Sequence, residues 1–202
     1  MVTIIRYNAG NIQSVLNALE RLGVQAVLTD DPAVIGSAER VIFPGVGEAS
    51  SAMQYLRERG LDEVIRGLRQ PVLGICLGMQ LLASHSEEND TPCLGIADEK
   101  VRLLPQQAPD GSLLKVPHIG WNTVEFVPGH PLFEGLPEKP WFYFVHSYAM
   151  EPGDHTVAAA EYGRRFSAAV QRDNFIGVQF HPEKSAAAGE RLLRNFLKMK
   201  IS

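Results

Sequence analysis

Pro71-Val72-Leu73-Gly74-Ile75-Cys76-Leu77-Gly78-Met79-Gln80-Leu81-Leu82 passes from an apolar strand pattern into a helical one, with a cysteine at the junction and a glycine two residues to either side. A strand that hands over directly to a helix is the repeating joint of parallel α/β sheets, because parallel strands need a crossover between them. The sharp turn requires small neighbours, which Gly74 and Gly78 supply, and it projects the residue at the bend from the carboxyl end of the sheet. The positive end of the helix that follows would face Cys76 and favour the thiolate, the form that attacks carbonyl carbon. The Leu77 N–H faces the same space. Taken alone, Cys76 also reads as a buried, inert structural thiol, and the flanking glycines weigh against that.

The same joint recurs upstream. Residues 2–5 read as a first strand, and Ile12, Val15, Leu16, Leu19 and Leu22 form one apolar helical face with Asn11 placed to cap it. Residues 25–28, 41–43 and 72–75 read as further strands, and 48–68 supplies helix before the last of them. Apolar runs of this kind fit a mostly parallel central sheet covered by helices. Downstream, Pro105, Pro109, Pro117, Pro128, Pro131, Pro137 and Pro140 break the pattern. Residues 141–145, 157–160, 168–170 and 175–180 read there as strands of a small antiparallel β extension, and 186–199 as a closing amphipathic helix. The expected class is α/β, in a single domain over residues 1–202.

An apolar run also leads into Phe180-His181-Pro182-Glu183. Histidine is the usual general base near neutral pH. Pro182 stiffens the chain, and in extended backbone side chains two apart leave on one side, so Glu183 is placed to orient the imidazole. A surface histidine with an incidental acidic neighbour is the competing reading. His85, His118, His130, His146 and His155 have no comparable carboxylate two residues on: only His85 has one, Glu87, and it lacks the intervening proline.

Val41-Ile42-Phe43-Pro44-Gly45-Val46-Gly47-Glu48 ends a strand in a glycine turn. As a dinucleotide fingerprint it fails, since Ser50 replaces the third glycine and the motif follows a later strand than the first. Backbone N–H groups at Val46 and Gly47 suit an oxyanion site; a plain strand-to-helix turn fits this motif equally well.

With 202 residues, 45% of them hydrophobic, the chain can bury a sizeable core. A net charge of −4 with scattered Lys and Arg gives no footprint for nucleic acid. Apolar runs are too short to cross a bilayer, and Met1-Val2-Thr3-Ile4-Ile5-Arg6 lacks signal-peptide features, so a cytoplasmic protein with Cys76 and Cys93 as free thiols is expected. The two cysteines lack metal-ligand spacing and no histidine cluster joins them, so neither a metal nor another cofactor is expected.

Pro44-Gly45-Val46-Gly47, the segment 74–80 and Phe180-His181-Pro182-Glu183 together resemble the motifs of class I glutamine amidotransferases, in family order and across most of the chain. The resemblance implies that family's fold, and glutamine hydrolysis through a γ-glutamyl thioester on a Cys76–His181–Glu183 triad, with the ammonia handed to a synthase site. Tyr7-Asn8-Ala9-Gly10-Asn11, Pro117-His118-Ile119-Gly120-Trp121-Asn122 and His146-Ser147-Tyr148 look more narrowly like the glutaminase subunits of imidazole glycerol phosphate synthases in histidine biosynthesis. Those form heterodimers with a (β/α)8-barrel cyclase subunit.

By this resemblance Val46 and Leu77 offer oxyanion donors. Gly47, Gln80, Glu88, Ser147 and Tyr148 hold the glutamine, with Glu88, in a loop, meeting its ammonium. Asn11, Trp121 and Lys184 lie toward the partner. Arg6 departs from the acidic residue that many members carry there. Trp121, in a loop flanked by Gly and Pro, reads as an exposed interface anchor or as a core plug. Glutaminases serving anthranilate or pyridoxal phosphate synthesis are the nearest rivals, and the His118-to-Asn122 segment argues against them. A cysteine peptidase acting on γ-glutamyl peptides and a non-enzymatic binding domain are the remaining alternatives.

Overall fold

The structure, a computed structural model, describes residues 1–8 and 12–200. Asn11, expected both as a helix cap and at the partner face, lies outside the described residues. The first part of the chain alternates as the apolar pattern predicts: β1 (Val2–Ile5), α1 (Ile12–Arg21), β2 (Ala26–Thr29), α2 (Pro32–Gly36), β3 (Arg40–Gly45), α3 (Ala49–Glu58), α4 (Leu61–Arg66), β4 (Val72–Cys76) and α5 (Leu77–Gln80). The helix expected over 48–68 is broken at Gly60, which turns the chain in the left-handed region at φ 64°. α5 is a single turn, so the helix dipole behind Cys76 is smaller than the sequence suggested.

The remainder is mostly strand: β5 (His85–Ser86), β6 (Thr91–Pro92), β7 (Lys100–Leu103), β8 (His118–Thr123), β9 (Glu125–Phe126), β10 (Trp141–His146), β11 (Tyr148–Met150), β12 (Thr156–Tyr162), β13 (Arg164–Arg172) and β14 (Phe175–Val178), closed by α6 (Ala186–Lys198). The main sheet runs β2-β1-β3-β4-β14-β13-β12-β9. Two smaller sheets, β10-β8 and β11-β7-β5-β6, stand against it.

Residues 175–180 were expected in the antiparallel extension, and the pairing corrects this. β14 is parallel to β4, from Phe175 opposite Val72 to Val178 opposite Ile75, and antiparallel to β13 on its other side. All four of its residues are buried, as a central strand requires. β14 is thus the seam between the parallel and antiparallel halves. The chain leaving it emerges at the same sheet edge as Cys76.

Side chains alternate to two cores. Ile4, Ile42, Leu73 and Ile176 pack with Val15, Leu19, Phe142, Phe144 and Phe196, while Ile5, Val41, Phe43 and Val72 pack with Met53, Leu56 and Ile65. Burial on both faces does not extend to the edge strand β2, where Val27 and Leu28 are exposed. Arg6 meets Asp30 at 2.6 Å, a solvent-screened pair that gives this departure from the family pattern a local partner. Among the described residues no helix is long and apolar enough to cross a membrane.

Candidate active site

β4 ends in a strained bend. Cys76 sits at φ 54°, ψ −108°, a conformation that costs a non-glycine residue about 1–3 kcal/mol and persists only where the surroundings impose it. The surroundings here are glycines: a Cβ on Gly74 would lie 2.8 Å from the Gly78 carbonyl oxygen, and Gly78 packs against the Phe43 carbonyl too closely for any Cβ. Gly45 of β3 is opposite Cys76 in the sheet, so Val46 and Gly47 leave the sheet at the height of the sulfur. Gly47, at φ 115°, takes a turn that an L side chain resists.

His181 arrives from β14, whose register with β4 sets it beside the bend. Its Nδ1–H donates to Glu183 Oε1 at 2.8 Å, and both side chains are nearly sealed from solvent, 3% and 2% exposed. The reason differs from the extended alternation expected. Pro182–Lys184 form a 3₁₀ turn, and the turn carries Glu183 back to the imidazole. Ser185 locks this arrangement, since its hydroxyl donates to the His181 carbonyl at 2.6 Å and accepts from Tyr143 N–H of β10 at 2.9 Å. Burial opposes charge on His181, but hydrogen bonds to Cys76 and Glu183, together with their charges, outweigh it and hold the imidazolium up to about 10. With Nδ1 committed to Glu183, Nε2 is the nitrogen left for the sulfur.

These groups open on a cavity of about 300 Å³. Val46, Gly47, Cys76, Leu77, Gln80, Glu88, Ser147, Tyr148 and His181 all line it, so the nucleophile, base, oxyanion and substrate residues expected from sequence meet in one place, with Glu183 directly behind His181; Lys184, expected toward the partner, lines it too. The volume sits at the small end of ligand sites, suited to a single amino acid.

Two expectations are corrected in detail, those for Glu88 and Trp121, and Gln80 gains definite partners. Glu88 belongs to a 3₁₀ turn rather than a loop, and its Oε2 accepts from Ala49 N–H at 2.7 Å at the start of α3. Burial raises its carboxyl above the usual range, partly offset by that N–H. Gln80 spends both amide protons internally, on the Tyr148 carbonyl at 2.8 Å and on Gln179 Oε1 at 3.0 Å, which leaves its carbonyl oxygen for an occupant of the cavity. Trp121 lies in β8, not in a loop. It is 49% exposed and plugs no core, and its ring meets Tyr143 edge-on at 6.0 Å beside the exposed Ile119 and Trp141.

The cavity also holds residues to which the sequence reading assigned no role. Pro117, Val145 and His146 line the cavity. His146 Nδ1–H donates to the Tyr148 carbonyl at 2.9 Å, and its Nε2 accepts from His118 Nδ1–H at 3.0 Å. His118 is stacked on Tyr162 with ring centroids 4.0 Å apart. Burial pushes both imidazoles down, His118 to about 4 and His146 to about 3, so the pair is neutral. Gln179, fully buried, reaches Cys76 Sγ at 3.7 Å. Its place two residues before His181 is a signal in the sequence that the reading above did not use. The other thiol, Cys93, is buried away from this cavity and pushed up to about 12.

The sequence profile of the family described as glutamine amidotransferase class-I matches residues 3–199. A relative from Bacteroides thetaiotaomicron, named imidazole glycerol phosphate synthase subunit HisH, is 54% identical over 199 residues, covering 98% of this chain and 99% of the relative. A relative of the same name from Vibrio cholerae is 50% identical over 204 residues, with 98% of each covered. Among solved structures, the crystal structure of a glutamine amidotransferase superposes with a TM-score of 0.73 at 22% identity, covering 98% of both chains. PurLQS from Thermotoga maritima superposes at 0.67 and 18% identity, covering 97% of this chain and 96% of the other. At such identities these two likenesses speak for the fold alone.

Proposed function

Because this chain belongs to the class I glutamine amidotransferases, we propose that it is the glutaminase subunit of an imidazole glycerol phosphate synthase, working in histidine biosynthesis. The observation that carries the reading is the meeting of Cys76 with a sealed His181–Glu183 pair on a cavity of amino-acid size, in a chain half identical to subunits of that name.

The Cys76 thiolate attacks the side-chain carboxamide carbon of glutamine, forming a C–S bond and an oxyanion that the Val46 and Leu77 N–H groups stabilise. Protonated His181 gives its proton to the departing nitrogen, the C–N bond breaks, and ammonia and a γ-glutamyl thioester remain. Water deprotonated by His181 then cleaves the thioester to glutamate, with Glu183 holding the imidazole and supporting its charge. Gly47, Gln80, Glu88, Ser147 and Tyr148 hold the substrate; the Gln80 carbonyl oxygen suits the carboxamide N–H, and Glu88 the α-ammonium.

Ammonia that escapes to water is protonated and ceases to be a nucleophile, so it passes to a (β/α)8-barrel cyclase subunit docked over the site in a heterodimer. That subunit releases imidazole glycerol phosphate and an aminoimidazole carboxamide ribotide. The docking face includes Asn11, Trp121 and Lys184; the exposed Ile119 and Trp141 beside Trp121 supply the apolar area that an anchor needs. The complex works in the cytoplasm.

Cys76→Ala tests the reading in the complex with the cyclase. Glutamine-dependent synthesis is lost while synthesis from added ammonia continues. Glutamine-dependent synthesis that survives the substitution would rule out Cys76 as nucleophile.

A further inference from the structure

Gln179 follows β14 as Cys76 follows Ile75 in the neighbouring strand, and its side chain is fully enclosed. A buried carboxamide must place an acceptor and its donors, and here the placement is dictated. The Tyr148 carbonyl has no proton, so Gln80 turns its NH₂ toward it, at 2.8 Å, and gives its other proton to Gln179 Oε1 at 3.0 Å. The Gln179 NH₂ is thereby directed at Cys76 Sγ, 3.7 Å away. Flipping the amide would set two NH₂ groups against each other and a carbonyl oxygen against the sulfur. The neutral His118–His146 pair fixes the far end of this chain, since His146 also donates to the Tyr148 carbonyl.

The same sulfur lies 3.7 Å from the Val145 carbonyl oxygen, which accepts from a thiol and repels a thiolate. Once the proton moves to His181, the sulfur loses that partner and needs a donor. α5, a single turn, supplies little. We propose that Gln179 is a positioning residue for the Cys76 sulfur: its N–H holds the thiolate, offsetting the Val145 carbonyl without adding a charge that would compete for Glu183. The inference rests on Cys76 being the nucleophile.

In Gln179→Met, which keeps the length and loses the donor, iodoacetamide alkylation of Cys76 in the full chain, read by peptide mass spectrometry, slows about ten-fold at neutral pH, the worth of one hydrogen bond to a charged group. The pH profile of alkylation moves to higher pH, and in the complex glutaminase kcat falls with KM little changed. A purely structural role would lower the melting temperature and leave that profile in place, and an unmoved profile overturns the proposal. Should the variant fail to fold, the Gln179 side-chain amide signal of the ¹⁵N-labelled unsubstituted chain decides. It shifts with the same pH dependence as Cys76 alkylation; a signal that stays still overturns the proposal. Glutamine-dependent synthesis surviving in Cys76→Ala would remove the nucleophile reading instead, with the alkylation profile still reporting on Gln179.

Discussion

His181 and His146 line one cavity from different elements, each almost fully buried, and their ionisation is driven in opposite directions. Burial lowers both. On the wall built from the sheet edge, His181 is hydrogen-bonded to Glu183 and Cys76, which reverse the effect and hold it up to about 10. On the wall built from β8, β10 and β11, His146 has only a carbonyl and His118 as hydrogen-bond partners, and the nearness of two other imidazoles, His118 and then His181, lowers it further, to about 3. Depth alone does not decide a buried histidine's charge; its partners do. One wall carries a charged pair, and the other is a neutral frame in which His146 and Gln80 both donate to the Tyr148 carbonyl.

If the walls divide the work in this way, substitutions in the charged one act on turnover. Glu183→Gln has the largest expected effect, a fall of about 10⁴-fold in glutaminase kcat, because the imidazole loses the carboxylate that orients and charges it. A loss below ten-fold would place that support elsewhere. Gly78→Ala comes next: a Cβ cannot fit against the Phe43 carbonyl, so the bend shifts, with kcat down about 100-fold and stability down about 1–3 kcal/mol. Unchanged kcat with an intact fold would mean that the bend does not set the sulfur's position.

The neutral wall and the face behind it should answer differently. Trp121→Ala weakens binding of the cyclase about ten-fold, with the glutaminase rate of the saturated complex nearly unchanged; titration by calorimetry checks it. The smallest effect concerns acid. His118 and His146 lie below their ordinary value of 6.5, so their contribution to stability is complete above that pH and is lost as pH falls through 6.5 toward 4. His181, raised to about 10, contributes fully below 6.5 and loses that contribution progressively as pH rises from 6.5 through 10. The melting temperature therefore drops between pH 6.5 and 4, and drops less in His118→Phe; equal drops would remove the histidine pair as the cause.

The charged wall was legible in the sequence because its determinants are local. Glycines two residues either side of Cys76, and a glutamate two residues after His181, act within a few bonds of the groups they position. The neutral wall is made by pairing: His118 meets His146 only because β8 and β10 lie antiparallel, and of the two strands only β10 was read from the sequence. Gly120 beside Trp121 suggests a loop until β10 is there to pair with it. β14 was assigned to the wrong half because a fully apolar run reads alike in parallel and antiparallel surroundings, and only its neighbour β4 settles the matter. Gln179 was passed over as part of that run, although a glutamine enclosed by apolar strands needs partners, and those partners are the site.

On the proposed function the reactive thiol of this chain is Cys76, made so by its bend and by a charged histidine. An electrophilic glutamine analogue, with the adduct mapped by peptide mass spectrometry, addresses it most directly. The expected result is a single adduct on Cys76, formed in step with the loss of glutaminase activity, while the buried Cys93, pushed up to about 12, stays unmodified. Activity lost with the adduct on Cys93, or activity retained with Cys76 fully modified, would contradict it.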